Sequence, residues 1–214
     1  MNKLRVLSNI EVQKVVAVIR TDTEEQALKV VDACIEGGIK AVELTYSIPH
    51  VENVIEQLVE KYRGGKEITI GVGTVLDAYT ARQAIFAGAT FIVSPSFDAA
   101  TAKLCNLYQT PYMPGCLTVT EIKEAMESGA DVVKVFPGSN VSPGFLKAVH
   151  APIPQANMMP TGGVNLDNIK DWLEAGAIAV GIGGNLVAPA KMGDYTKITE
   201  LARQYVAKVK EASV

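Results

Sequence analysis

Lys134 is the residue whose type and position most clearly indicate chemistry. It lies within residues 131–138, DVVKVFPG, a β-branched apolar run typical of a buried strand. An ammonium group is costly to bury unless it is paired or converted to the neutral amine. A neutral lysine amine can attack a ketone to form a Schiff base, which is an electron sink for making and breaking C–C bonds. The alternative is an edge-strand lysine whose stem packs on the core while its ammonium group reaches water.

Glu43 is a second charged residue inside an apolar run, AVELT at residues 41–45. One interpretation is a structural salt bridge to a lysine or arginine on a neighbouring strand. The other is a general acid–base that transfers protons during the reaction. Both can hold, because a carboxylate close to the Lys134 amine could move protons to and from the carbons of a Schiff base. Isolated charges in protein cores are rarely without a role, which favours the functional interpretation.

Other predicted strand ends carry groups suited to an anionic substrate. Arg20 closes the first strand, either as a surface cation or as a planar donor for a carboxylate. Thr74 offers a hydroxyl directly after Gly73. Backbone N–H groups at Gly162-Gly163 and Gly183-Gly184 can form an anion cradle, with phosphate as the predicted anion, although glycines that merely permit tight turns are the alternative. The other residues noted at strand ends are Pro95, Phe136, Thr161 and Asn185.

These residues are positioned by short apolar runs that alternate with amphipathic stretches along the chain. We predict strands over 15–20, 40–45, 68–73, 91–94, 112–114, 132–136, 158–161 and 179–182. We predict helices over 23–35, 49–62, 77–86, 99–108, 120–128, 166–175 and 195–212. A helix, a glycine stop and an apolar strand recur at residues 37, 88, 129 and 176.

Repeated βα units predict a parallel sheet, and about eight of them close into a (β/α)₈ TIM barrel, here with a short N-terminal helix. An open doubly wound sheet is the alternative fold, disfavoured because no G-x-G-x-x-G follows the first strand. The length of 214 residues and the absence of a linker segment predict one domain over residues 1–214.

Composition excludes several classes of function. The formal net charge of −3 and the lack of a basic run argue against nucleic acid and anionic membranes, and no apolar stretch is long enough to span a bilayer. Only two histidines occur, which argues against a multi-histidine metal centre or a Ser-His-Asp triad. We therefore expect no metal and no cofactor. Three cysteines without C-x-x-C spacing favour free thiols and a cytoplasmic location.

Considered together, these features resemble the class I 2-keto-3-deoxy-6-phosphogluconate (KDPG) and 4-hydroxy-2-oxoglutarate (KHG) aldolase family. The likeness runs from about residue 15 to the C-terminus. It is carried by VELT at 42–45, GVGTV at 71–75, SP at 94–95, MPG at 113–115, KVFP at 134–137, PTGGV at 160–164 and GIGG at 181–184.

The resemblance implies a metal-independent lyase that cleaves KDPG to pyruvate and glyceraldehyde 3-phosphate, or KHG to pyruvate and glyoxylate. It implies that Lys134 forms the Schiff base, that Glu43 transfers protons, and that Thr74 contacts the carboxylate at the pyruvate end. It further implies that Phe136 packs beside the imine and that Thr161, with the glycine pairs, lines the phosphate end. Family members are typically homotrimers and serve carbohydrate metabolism, including the Entner–Doudoroff pathway.

Two positions depart from the family pattern. Many members carry an arginine a few residues after the glutamate, where this chain has Ser47. Either Arg20 binds the carboxylate instead or the substrate preference has changed, for example to the C4-epimeric 2-keto-3-deoxy-6-phosphogalactonate. Asn185 stands where serine is common, although its backbone N–H could still bind phosphate. A phosphate-binding barrel isomerase or epimerase, with Lys134 as an electrostatic contact only, is the remaining alternative.

Overall fold

The structure is a computed structural model that describes residues 2–212 and has an α/β fold of alternating strands and helices. The strands are β1 (Val15–Ile19), β2 (Ala41–Thr45), β3 (Thr69–Gly73), β4 (Ile92–Val93), β5 (Tyr112–Met113), β6 (Gly115–Cys116), β7 (Val133–Val135), β8 (Met158–Pro160) and β9 (Val180–Ile182). The helices are α1 (Asn2–Gln13), α2 (Glu24–Glu36), α3 (Val51–Lys61), α4 (Ala78–Phe86), α5 (Ala99–Leu107), α6 (Val119–Glu127), α7 (Pro143–His150), α8 (Ile169–Glu174), α9 (Gly184–Val187) and α10 (Tyr195–Ala212). None of the helices in this range is long and apolar enough to cross a membrane.

The strand predictions are confirmed, with one interruption. The predicted strand over 112–114 is divided into β5 and β6, which lie on either side of Pro114. Proline has no N–H to donate to a ladder, so the pairing breaks at this residue. The Pro114 carbonyl still accepts a hydrogen bond of 2.9 Å from the Lys134 N–H, which ties this segment to β7.

The helix predictions are also confirmed, and the structure adds α7 and α9, which the sequence pattern did not predict. Helix α7 begins with Pro143, whose fixed φ and missing N–H suit a first helical turn. Leu146 and Val149 form its buried face. Two apolar residues are too few to produce a clear helical period, which explains why α7 was missed.

All strand pairs are parallel, and they form a curled arrangement of two sheets. One sheet has the order β5-β4-β3-β2-β1-β9 and the other has the order β6-β7-β8. The two sheets meet at Pro114 and again where Thr161 forms a parallel bridge with Gly181. Parallel pairing brings the carboxyl ends of the strands to the same side of the molecule.

Alternate strand residues pack into two separate apolar cores. In β1, Val15, Ala17 and Ile19 belong to a large outer core beneath the helices, whereas Val16 belongs to a smaller inner core. The inner core also contains residues within strands or directly before them, namely Ala41, Phe91, Val93, Met113, Val132, Met159 and Ala179. The predicted N-terminal helix is confirmed as α1, and its buried Val6 and Ile10 complete the inner core. Beyond the inner core, the next inward-facing side chain of each strand lies closer to the carboxyl end of that strand.

Candidate active site

Lys134 and Glu43 meet on the inner face of the strands. Val133 and Val135 belong to the outer core, so the alternation along β7 turns Lys134 inward, and the same alternation in β2 turns Glu43 inward. Lys134 is 5% exposed and Glu43 is 1% exposed. Lys134 Nζ lies 3.5 Å from Glu43 Oε1. The two charges that the sequence singled out are therefore neighbours in the fold, although 91 residues separate them along the chain.

The Lys134–Glu43 pair is weakly bonded. A distance of 3.5 Å is long for a charge-assisted hydrogen bond, which is ordinarily about 2.7–2.9 Å. The second oxygen, Glu43 Oε2, is buried and has no hydrogen-bond partner among the described residues. A buried carboxylate oxygen without a donor is costly, and it leaves one acceptor free for a proton or a substrate group.

Glycines on the inner face make room for these side chains. A Cβ atom on Gly73 would overlap Glu43 Oε1, and one on Gly181 would overlap the Thr161 hydroxyl. Thr161 Oγ1 is itself buried without a partner among residues 2–212. Gly73 and Gly181 were not predicted from the sequence as necessary for the site. The alternation of side chains along β3 and β9 contains this information, because Gly73 and Gly181 both fall on the inward-facing side of their strands.

Phe136 lies beside the lysine. It follows Lys134 by two residues, so both side chains project from the same face of the chain. Lys134 Nζ is 5.0 Å from the centroid of the Phe136 ring. The Lys134 ammonium therefore has a carboxylate and an aromatic ring as neighbours.

Two of the predicted substrate-binding residues, Thr74 and Pro95, lie just beyond the ends of β3 and β4. Thr74 follows β3 directly and has a φ of 60°, which is strained for a β-branched residue. Pro95 follows β4, and its carbonyl packs so closely over Gly115 that a Cβ there would overlap it. The preceding Ser94 hydroxyl lies 2.6 Å from the Tyr112 hydroxyl. Burial raises the pKa of Tyr112 to about 12, so this phenol stays protonated, although the Ser94 hydrogen bond opposes the rise.

The two glycine pairs lie side by side. Gly162 and Gly163 follow β8, with φ values of 91° and 77° that glycine adopts without strain. Gly183 precedes α9 and Gly184 begins it, so the Gly184 N–H belongs to a first helical turn, which has no acceptor within its own helix. The Thr161–Gly181 bridge joins the two strands and so places these loops next to each other. Asn185, the next residue, is exposed.

Arg20 is exposed at the end of β1 and makes no ion pair or hydrogen bond with the described residues through its side chain. Its neighbour Ile19 accepts a hydrogen bond of 3.2 Å from the Thr45 hydroxyl, which lies 2.7 Å from the Ser47 hydroxyl. Ser47 is thus engaged with Thr45 and supplies no charge. Arg20 is free to bind an anion, whereas Lys134, Glu43, Phe136 and Thr161 form the enclosed part of the site.

The other chemical groups of the chain offer less. Within residues 2–212 no group of three or more His, Cys, Asp or Glu side chains is arranged to hold a metal ion. Burial, with smaller contributions from the nearby Glu121 and Glu124 carboxylates, raises the pKa of the Cys116 thiol to about 12. A thiol with that pKa is a poor nucleophile at neutral pH.

Comparison with known proteins gives consistent matches over nearly the whole chain. The family model for KDPG and KHG aldolase matches residues 6–201. A 2-dehydro-3-deoxy-phosphogluconate aldolase of Treponema pallidum is 30% identical over 205 residues, which cover 94% of this chain and 96% of the relative. A 2-dehydro-3-deoxy-6-phosphogalactonate aldolase of Escherichia coli is 32% identical over 198 residues, which cover 92% of this chain and 95% of the relative.

A solved structure resembles the fold equally well. The KDPG aldolase from Legionella pneumophila, crystallised with pyruvate captured as a covalent carbinolamine intermediate, superposes with a TM-score of 0.85 and 28% identity. The match covers 92% of this chain and 96% of that one. A carbinolamine is the adduct that precedes a Schiff base, so this relative performs the chemistry for which a buried lysine is suited.

Proposed function

The chain belongs to the KDPG and KHG aldolase family, and on that premise we propose that it is a metal-independent Schiff-base aldolase that releases pyruvate from a 2-keto-4-hydroxy acid. The observation that carries the proposal is the buried Lys134 amine beside the half-satisfied Glu43 carboxylate. The main substrate that we propose is KDPG, which is cleaved to pyruvate and glyceraldehyde 3-phosphate. KHG, cleaved to pyruvate and glyoxylate, is the second substrate.

In this mechanism Lys134 attacks the ketone carbon and forms an iminium ion after loss of water. The iminium withdraws electrons from the neighbouring carbon and so allows the C3–C4 bond to break. Glu43 Oε2, which has no hydrogen-bond partner among the described residues, removes the proton from the C4 hydroxyl and later returns a proton to C3. The release of pyruvate by hydrolysis then restores the lysine.

The two ends of the substrate bind on opposite sides of Lys134. Thr74 and the segment at Pro95 accommodate the pyruvate carboxylate. The phosphate binds the backbone N–H groups of the paired glycines and of Asn185. Arg20, which is exposed at the end of β1, supplies the positive charge for the carboxylate in place of the arginine absent at Ser47. Thr161 Oγ1, which is buried without a hydrogen-bond partner among the described residues, lines the phosphate end together with the glycine pairs and donates a hydrogen bond to the substrate there.

The C4-epimeric phosphogalactonate substrate is the second candidate. The similarity to the Escherichia coli 2-dehydro-3-deoxy-6-phosphogalactonate aldolase, at 32% identity, favours it about as much as the other relatives favour KDPG. Pyruvate release measured separately with the two phosphorylated epimers and with KHG distinguishes the three activities. A preference of at least tenfold for phosphogalactonate would replace our main substrate.

We further propose that the two sheets are parts of one closed (β/α)₈ barrel that comprises the whole chain as a single domain. If β5 and β6 are counted as one strand interrupted at Pro114, eight strands remain. The Lys134–Pro114 hydrogen bond and the Thr161–Gly181 bridge support closure at the two points where the sheets meet. The site then lies at the carboxyl ends of the strands, where barrel enzymes place their chemistry.

A homotrimer in the cytoplasm is the proposed state of the protein. Cys34, Cys105 and Cys116 are free and buried, which supports a reducing compartment. Exposed aromatic and apolar side chains on α4 and α5 support association. Tyr79 and Phe86 are 73% and 67% exposed, and the Phe86 ring packs edge-on against Tyr108 with centroids 5.8 Å apart.

Borohydride reduction in the presence of pyruvate tests the Schiff base directly. We expect inactivation together with one reduced pyruvate adduct on Lys134, located by peptide mass spectrometry. The Lys134→Arg variant should form no adduct and show no turnover, because guanidinium remains protonated. Lys40→Arg is the matched control, since Lys40 pairs with Glu67 at the surface. An adduct on another lysine would refute the role of Lys134, and the absence of any adduct would favour the isomerase alternative.

A further inference from the structure

The aromatic ring of Phe136 is placed to interact with the reacting nitrogen. Lys134 Nζ is 5.0 Å from the ring centroid, within the range of a cation–π interaction. Lys134 is only 5% exposed, so water screens this attraction only weakly. The geometry points to Phe136 as a catalytic residue that stabilises the positive charge of the Schiff base, an inference that rests on the proposed aldolase function.

Formation of the Schiff base removes N–H donors, and with them hydrogen bonds that would otherwise stabilise the positive charge on nitrogen. Neutral amine, ketone and one proton give an iminium ion and one water, and the new C=N bond takes the place of two N–H bonds. An ammonium has three N–H donors, whereas the iminium has one and shares its charge with carbon. Attraction to an aromatic face depends on the charge rather than on N–H donors. The ring therefore supports the iminium at the stage when hydrogen bonding becomes weaker.

Among the described residues, few groups other than Phe136 are placed to stabilise the positive charge of the iminium. Within residues 2–212, Lys134 Nζ donates a hydrogen bond to Glu43 Oε1, and this bond is long at 3.5 Å. Once Glu43 accepts a proton during catalysis, it becomes neutral and no longer balances the charge. The Phe136 ring carries no proton to lose and keeps its negative face throughout the cycle. This difference assigns proton transfer to Glu43 and lasting charge stabilisation to Phe136.

The Phe136 ring also lies close to the loop after β8. A Cβ atom on Gly162 would lie 3.9 Å from Phe136 Cε2, so the ring is close to the first glycine pair. The Phe136 N–H donates to the Cys116 carbonyl at 3.1 Å, which fixes the backbone from which the ring projects. Phe136 thus lies between Lys134 and the loop after β8.

Fluorinated phenylalanines separate the charge effect from packing. Replacement of Phe136 with 4-fluoro-, 3,5-difluoro- and 3,4,5-trifluorophenylalanine changes the ring volume little but weakens its negative face in steps. For each variant we would measure the pyruvate concentration that gives half-maximal borohydride trapping of Lys134, and the rate at which pyruvate methyl hydrogens exchange with deuterated water. We expect affinity and exchange to fall progressively, by about tenfold over the series.

The control is the same series at Phe145, which packs on the outer core and should leave both quantities unchanged. Equal trapping and exchange across the Phe136 series, with a loss only in Phe136→Leu, would assign the ring a packing role and overturn the inference. If the trifluoro variant melts early, the slope between phenylalanine and 4-fluorophenylalanine still decides the question. Absence of any adduct in the wild type would instead refute the aldolase function itself.

Discussion

Lys134 and Glu43 form an ion pair that is poorly suited to a purely structural role. Buried ion pairs stabilise a fold only when their geometry is good and their remaining hydrogen-bonding capacity is satisfied. Here the Nζ–Oε1 distance is 3.5 Å and Glu43 Oε2 has no partner among the described residues. The pair therefore costs stability, and chemistry gives a reason for its presence.

The Glu43→Gln variant tests the division of labour between the two residues. The amide keeps the shape of the side chain but cannot accept a proton at neutral pH. Borohydride trapping of pyruvate on Lys134 should persist, whereas cleavage should fall by about 10²–10⁴-fold, the usual contribution of a positioned acid–base group. Exchange of pyruvate methyl hydrogens should fall with it.

The control for Glu43→Gln is Glu67→Gln, which removes a surface partner of Lys40 and should leave both rates unchanged. Wild-type exchange in the Glu43→Gln variant would mean that another group is the base. An unfolded variant would identify Glu43 as a structural partner of Lys134.

The sequence could predict these two residues but not their geometry. A lysine and a glutamate stand out in apolar strands because charge is expensive to bury. Their separation, the missing partner of Glu43 Oε2 and the free side chain of Arg20 depend on how distant strands pair, which no local pattern encodes. The roles assigned to the site residues all stay predictions: Lys134, Glu43, Arg20, Thr74, Pro95, Phe136, Thr161, the two glycine pairs and Asn185.

At the scale of elements, the glycines of the inner face determine how closely the site is packed. Gly73 ends β3 and pairs with Thr45 of β2, two residues beyond Glu43. Since a Cβ atom at Gly73 would overlap Glu43 Oε1, the carboxylate can occupy its position only because this residue has no side chain. The acid–base group and the neighbouring strand are therefore coupled.

We expect Gly73→Ala to resemble Glu43→Gln. The added methyl group must displace the carboxylate from Lys134, so hydrogen exchange and cleavage should fall by at least tenfold while trapping on Lys134 continues. Overpacking should also lower the free energy of unfolding by about 1–3 kcal/mol, measured by urea denaturation. Gly64→Ala is the control, because a Cβ atom there has no neighbour within 4 Å. Full exchange activity in Gly73→Ala would show that the site tolerates the displacement.

Strands were more predictable than the complete set of helices. Each strand is an apolar run bounded by glycine or polar residues, which marks its limits locally. The break at Pro114 has a local cause, yet the continuation as β6 depends on pairing with β7. Helix α7 is held by the burial of Leu146 and Val149 against the core, a tertiary effect that its short sequence does not display.

At the scale of the whole molecule, the proposed homotrimer can be tested at the exposed side chains of α4 and α5. Phe86→Glu places a charge at the centre of the apolar contact with Tyr108 and should convert the proposed trimer to single chains, detected by light scattering after size exclusion. Leu4→Glu is the matched control, because Leu4 is equally exposed but lies on α1. A wild-type chain that elutes as a monomer would refute the trimer.

The buried thiols and phenols should make the folded protein sensitive to alkaline pH. Burial raises the pKa of Cys34 and of Cys105 from 9.0 to about 12, and that of Tyr112 from 10.0 to about 12. Between pH 9 and 12 the unfolded chain has ionised thiols while the folded chain keeps them protonated. Unfolding then releases protons, so the free energy of unfolding falls as the pH rises, by up to about 1.4 kcal/mol per thiol for each pH unit.

Urea denaturation under reducing conditions, repeated from pH 8 to pH 11, measures this dependence. Stability should change little below pH 9 and should fall increasingly steeply above it. The Cys34→Ala/Cys105→Ala variant loses packing at every pH, but its stability should decline less steeply, because two of the groups that ionise on unfolding are gone. Parallel curves for this variant and the wild type would show that Cys34 and Cys105 do not cause the loss.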